Sequence, residues 1–138
     1  MPENKDKLRE IINFYSDNYP TESLNWLNVS VITDMSNLFE ETFYNGDISM
    51  WNTANVTDMS YMFYYAHNFN KSISNWEVSG VADMQWMFCE AKKFNQSIEN
   101  WNVSSVTNMV GMFNNAEKFN QPIGDWDVSS VSNMYGMF

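Results

Sequence analysis

Residues 100–121 read NWNVSSVTNMVGMFNNAEKFNQ, and 25 residues earlier, at 75–96, stands NWEVSGVADMQWMFCEAKKFNQ. Residues 50–71, MWNTANVTDMSYMFYYAHNFNK, carry the same frame once more. Trp26, Trp51, Trp76, Trp101 and Trp126 recur at a spacing of 25, as do Ile48, Ile73, Ile98 and Ile123, and Asn45, Asn70, Asn95 and Asn120. Met62-Phe63, Met87-Phe88, Met112-Phe113 and Met137-Phe138 mark the same step in each unit. Self-similarity at a fixed period is the signature of repeat architectures. Residues 24–138 therefore read as a solenoid of about five repeats, the last incomplete. The first is irregular, with a residue inserted between Trp26 and Met35 and one lost between Phe39 and Tyr44. Residues 1–23 form a separate N-terminal cap.

Within a unit, Val56, Met59, Met62, Phe63 and Ala66 are spaced by threes and fours, the mark of a buried helix face. Asn55, Gly80, Ser105 or Ser130 precedes the run as an N-cap. Asp58, Asp83, Asn108 or Asn133 follows three positions later, near the positive end of a helix dipole. A short helix is expected at each such segment. FNKSISNWEV, residues 69–78, carries apolar residues on both parities and is expected as a short strand that turns into the next helix. Pro122 delays that strand in the last unit, because it cannot donate to a ladder. The fold class expected is an α/β repeat solenoid.

One unit cannot cover its own apolar face, but identical neighbours can, and such a stack gains stability from each junction. The Trp, Ile and Asn columns are expected as its structural core. The asparagines would lie about one strand spacing apart, near 4.8 Å, where their amides can bond along the stack. Leu8, Ile11, Ile12 and Tyr15 lie at helical spacing and predict a capping helix over the first turn, stopped by Pro20. The final turn carries no polar cap, so either the array is expected to continue or self-association through this turn is expected.

These residues, FNQSIENWNVSSVTNMVGMF and FNQPIGDWDVSSVSNMYGMF above all, resemble the 25-residue repeats of BspA-like bacterial surface proteins and mycoplasma lipoproteins, of the broad leucine-rich-repeat group. The lead-in KDKLREII resembles that family's N-terminal cap. The resemblance implies a right-handed solenoid with a narrow parallel sheet on one side and short helices on the other. It implies a bacterial cell-surface or secreted location and roles in adhesion and host-protein binding. It brings no catalytic residues.

Composition narrows the function classes. Six Trp, seven Tyr and ten Phe predict a folded chain. A net charge of -10 argues against nucleic acid, whose phosphates need Lys and Arg to displace counterions. It equally disfavours docking on anionic membrane through a basic patch. No apolar run approaches a membrane span, and residues 1–7 carry no export signal. Cys89 is the single cysteine and His67 the single histidine, so neither a nucleophile–base pair nor a metal set is expected, and no cofactor is implied.

Binding is expected at positions that vary between units. Tyr61, Tyr64, Tyr65, His67 and Trp86 form the candidate interaction surface, since exposed aromatics beside variable charge suit an interface. Lys71, Gln96 and Gln121, with Ser74, Glu99 and Gly124, offer a second. The chain is expected to be a non-enzymatic module that binds another macromolecule, a protein. A purely structural or self-assembling array is the alternative, and a carbohydrate-binding module the remote one.

Overall fold

A computed structural model describes the whole chain, residues 1–138, and contains one helix. This helix, α1, spans Lys5–Asn18. Asn4 caps it by accepting a hydrogen bond from the Lys7 N–H, and Leu8, Ile12 and Ser16 form its buried face. The remainder is a stack of five units built from tight turns, beginning at Leu24, Ile48, Ile73, Ile98 and Ile123.

The expected α/β solenoid of short helices and parallel strands is not what the chain builds. Residues 56–66 and their equivalents are not helical, and 69–78 is not a strand. Backbone bonds explain why. The N–H groups of Val56, Met62, Ala66 and Phe69 each donate three residues back, to Thr53, Met59, Phe63 and Ala66, closing successive tight turns. Alternate N–H groups leave the unit altogether. Met59, Tyr61, Phe63 and Tyr65 donate to the carbonyls of Asp83, Gln85, Met87 and Cys89 at 2.9–3.0 Å. The same four-bond ladder joins the first unit to the second and the third to the fourth. Strand-like pairing reduces to one parallel bridge per junction, Asp34↔Asp58, Asp58↔Asp83, Asp83↔Asn108 and Asn108↔Asn133. Each of these Asp or Asn side chains accepts from the N–H two residues on, as at Asp83 and Gln85 (2.8 Å), so it stabilises a turn rather than a helix N-terminus.

Two registers hold left-handed backbone in the repeats: Asn37, Tyr61, Trp86, Gly111 and Gly136, and Glu41, Tyr65, Glu90 and Asn115. A helix cannot pass through them. The apolar spacing of three belongs to three-residue turns whose inner corners all point one way.

Those corners form continuous columns. Phe39, Phe63, Phe88, Phe113 and Phe138 stack with centroids 5.1–5.8 Å apart. Phe69, Phe94 and Phe119 form a second column, each ring 4.2 Å from the first. The indoles of Trp51 and Trp76 lie parallel at 6.2 Å. Each indole N–H donates to a carbonyl of the unit below: Trp51 to Leu24, Trp76 to Ile48, Trp101 to Ile73 and Trp126 to Ile98. Every junction thus satisfies a buried polar atom as well as covering apolar surface.

Trp26 is a correction to the core. It is 59% exposed and meets the Tyr15 ring, outside the column. The first unit is one residue short, with no compensating insertion. Leu27 N–H donates to Leu24 O as Trp51 N–H does to Ile48 O, so Leu24 and Leu27 occupy the Ile and Trp registers at an offset of 24. Thr42 matches Ala66 while Tyr44 matches Phe69, which places the missing residue at Phe43. Ile123, in the last unit, is only half-buried.

The helix α1 closes the first unit chemically as well as sterically. Arg9 Nη2 donates at 3.4 Å to Glu40 O, a carbonyl whose equivalents in later units accept from the unit before. Lys5 Nζ reaches Asp34 Oδ2 at 3.1 Å and the Ser36 hydroxyl. Burial pulls the Asp34 carboxyl upward, but the hydrogen bonds from Ser36 and Lys5 outweigh it and hold the group below its ordinary range. Ser16 Oγ accepts from the Phe43 N–H and Pro20 O from the Asn45 N–H.

Candidate functional site

Tyr61, Tyr64, Tyr65 and His67 lie along one corner of the second unit. Left-handed backbone at Tyr61 (φ 57°) and Tyr65 (φ 55°) turns these two rings out of the core. The rings then meet edge to face: Tyr61 to Tyr64 at 5.4 Å, Tyr64 to Tyr65 at 4.6 Å and Tyr65 to His67 at 5.6 Å. Positive φ at a bulky residue is strained, yet every complete unit has it at these registers, so the strain belongs to the turn. The aromatic identity does not. Tyr64 replaces Glu40, Cys89 and Asn114, and Tyr65 replaces Glu41, Glu90 and Asn115.

The structure brings together four of the five expected surface residues and separates the fifth. Trp86 lies one unit further on, half-buried, with its ring over Gly111, where a Cβ would collide with it. Trp86 therefore pads a junction between turns.

Charge surrounds the tyrosines. Glu41 N–H donates to Tyr64 O, and Tyr65 N–H to Cys89 O, which sets Glu40 and Glu41 on one side and Glu90 on the other. Lys92 bridges Glu90 and Glu117 at 3.3 and 2.6 Å. Its hydrogen bond to Glu117 raises the ammonium and lowers that carboxyl. Burial, then the neighbouring Tyr65, Cys89 and Tyr61, push the Tyr64 hydroxyl above its usual value. Cys89 is buried behind this corner and burial pushes its thiol up to about 11. A thiol so placed stays protonated near neutral pH and is a poor nucleophile. No three His, Cys, Asp or Glu side chains converge as metal ligands, and no helix is long and apolar enough to cross a membrane.

The asparagine column lies on a different face. Asn45, Asn70 and Asn95 accept through Oδ1 from the N–H of Asn70, Asn95 and Asn120 at 2.8–2.9 Å. Gln96 and Gln121 donate to the same Asn70 and Asn95 side chains. Lys71 stands beside them, whereas Ser74, Glu99 and Gly124 fall past the corner and line no groove. Periodicity gives no access to Phe43, which sits where the first unit loses its residue; it is 65% exposed above this face.

No curated protein and no solved structure matches the chain. A family model described as a mycoplasma protein of unknown function, DUF285, matches residues 8–99 and again 72–138, overlapping as repeats do. The overlapping matches cover the cap helix from its fourth residue and every unit, and the chain belongs to the DUF285 family.

Proposed function

We propose that this chain is a non-enzymatic surface-interaction module that binds another protein through the Tyr61, Tyr64, Tyr65 and His67 corner. One observation carries the reading: Tyr64, Tyr65 and His67 have no aromatic counterpart in any other unit, so stacking does not require them, whereas the Phe and Trp columns recur. Rigid rings offer contact area at low entropic cost. Glu40, Glu41, Glu90 and Glu117 rim them, which favours a partner with an apolar centre and a basic border. The resemblance to BspA-like adhesins supports the same reading. The raised thiol pKa of Cys89, about 11, supplies no activated nucleophile at this corner.

The purely structural array is the second reading, favoured by Trp86 lying over Gly111. The pair Tyr64→Ser and Tyr65→Ser separates the two. Binding to immobilised extracellular-matrix proteins, read by biolayer interferometry, should weaken at least about tenfold, roughly 1.4 kcal/mol, with the melting temperature held within a few degrees. Unchanged binding refutes the patch. A large loss of stability assigns these rings to the scaffold.

A further inference from the structure

Written unit beneath unit, three neighbouring registers run along the face opposite in character to the tyrosine corner. They read Phe43, Asn68, Lys93 and Lys118; then the four-asparagine column; then Gly46, Lys71, Gln96 and Gln121. Not one carries an acid, in a chain with 17 Asp and Glu against 7 Lys and Arg. Lys5, Lys7, Arg9 and Lys92 are engaged with carboxylates elsewhere. The remaining three cations, Lys71, Lys93 and Lys118, form no ion pair, and they fall one to a unit on units two, three and four. Asn68 Oδ1 holds Lys93 Nζ at 3.0 Å.

The amides between them are polarised by the fold. An amide usually offers a donor and an acceptor. Here Oδ1 of Asn45, Asn70 and Asn95 is committed to backbone N–H groups of the next unit, which leaves each Nδ2 with no partner in the chain. The column can only donate outward. An open groove of about 510 Å³ begins at this column, bounded by Pro20, Asn45, Asn70, Lys71 and Lys93, with Phe43 as its single apolar wall.

The geometry points to this face as a binding site for a linear acidic polysaccharide, laid along the stack with its carboxylates on Lys71, Lys93 and Lys118. Donors and cations in registers that hold no acid favour an anionic, acceptor-rich ligand, with Asp47 near Lys71 and Glu117 near Lys118 as the acids it displaces. Parallel-paired backbones repeat about every 4.8 Å, whereas an extended peptide advances about 3.3 Å per residue and returns to the same face only after two. Successive phosphates along one strand of a duplex advance about 3.4 Å along the helix axis and wind around it. Lys93 and Lys118 share a register one unit apart, with Lys71 three residues along in the unit before; a polyuronate carries a carboxylate on every ring, and its hydroxyls and ring oxygens can accept from the amide column. Phe43 offers a flat ring on which the C–H face of a sugar can rest.

Fluorescence anisotropy with labelled oligogalacturonate of about six sugars, in low-salt buffer, tests the assignment on the intact chain. Wild type should bind, and affinity should fall as salt rises. Lys71→Gln with Lys93→Gln should weaken binding at least about tenfold, as should Phe43→Ala. Tyr64→Ser with Tyr65→Ser should leave it unchanged, which keeps this site's fate separate from that of the tyrosine corner. Lys71→Gln alone, at a half-buried side chain with no ion pair, carries the test should Phe43→Ala disturb the cap. Absence of binding by wild type, equal binding of the neutral galactose oligomer, or indifference to the lysine variants overturns the site. A hexaglutamate peptide that binds as tightly as the uronate reassigns the groove to acidic peptides and overturns the sugar reading.

Discussion

Trp76 and Trp26 share a phase in the sequence, but the structure gives them opposite surroundings, and truncating each to alanine measures the difference. Trp76 is 3% exposed, parallel to Trp51 at 6.2 Å and 6.2 Å from Phe63. Burying an indole removes about 150–250 Å² from water, worth about 4–6 kcal/mol at about 25 cal/mol per Å². That is an upper figure, because an unfolded chain already covers part of the ring. The lost indole N–H adds little, since Ile48 O keeps the Trp51 N–H at 3.2 Å. Trp76→Ala should therefore cost about 4 kcal/mol, within the 3–5 kcal/mol usual for such truncations. Trp26 touches little beyond Tyr15, and Trp26→Ala should cost less than about 1 kcal/mol. Leu27→Ala, at the position that fills the indole register of the first unit, should cost about 3 kcal/mol. Urea unfolding followed by near-ultraviolet circular dichroism reads all three, as midpoint shifts at constant slope. Equal costs for the two tryptophans, or a silent Leu27→Ala, would refute the register assigned to the first unit.

Other perturbations probe other parts of the stack. Gly111→Ala and Gly136→Ala share a left-handed backbone cost of about 1–2 kcal/mol. Only Gly111 faces the Trp86 ring, so its variant should lose roughly 1–3 kcal/mol more; equal melting temperatures would contradict that contact. Asn70→Ala leaves the Asn95 N–H without its acceptor and should cost about 1 kcal/mol. Asn70→Asp keeps an oxygen there and should stay close to wild type in the same melts; an equal loss would deny the ladder its role. Acid should loosen the turns. Hydrogen bonds from Ser49, Ser79 and Ser129 hold Asp47, Glu77 and Asp127 below their ordinary values, and Asp34 is also lowered. Carboxyls depressed on folding contribute stability above their unfolded values, about 3.9 for Asp and 4.3 for Glu. That contribution disappears as pH falls through the lower folded values. The melting temperature should drop between about pH 5 and pH 3, and a flat or rising profile counts against the turns.

The period was legible because identical residues recur, and α1 lies where Leu8, Ile11, Ile12 and Tyr15 repeat at helical spacing. The conformation of the repeat was not. Over eleven residues, Val56, Met59, Met62, Phe63 and Ala66 satisfy both a helix face and a series of three-residue turns. The separating signal was glycine at 111 and 136, a hint of left-handed backbone that Asn37, Tyr61 and Trp86 conceal in the other units. Trp26 misled because a one-residue deletion brought a chance tryptophan into phase. Leu24, Leu27, Val29 and Ile32, matching Ile48, Trp51, Thr53 and Val56, carried the true register. The tyrosine corner stood out because it does not recur. The lysine and amide face stayed hidden because Phe43 sits at the deletion and because committed amide oxygens cannot be seen in a sequence.

Met84 distinguishes a stack of turns from a row of helices. Its N–H donates to Asn108 O in the following unit at 3.0 Å, whereas in a helix it would donate to Gly80 O four residues back. Through-hydrogen-bond scalar couplings in isotope-labelled protein report the acceptor directly. The stack predicts a coupling from the Met84 nitrogen to the Asn108 carbonyl carbon, repeated from Met59 to Asp83 and from Met109 to Asn133. A coupling from Met84 to the Gly80 carbonyl carbon would contradict it.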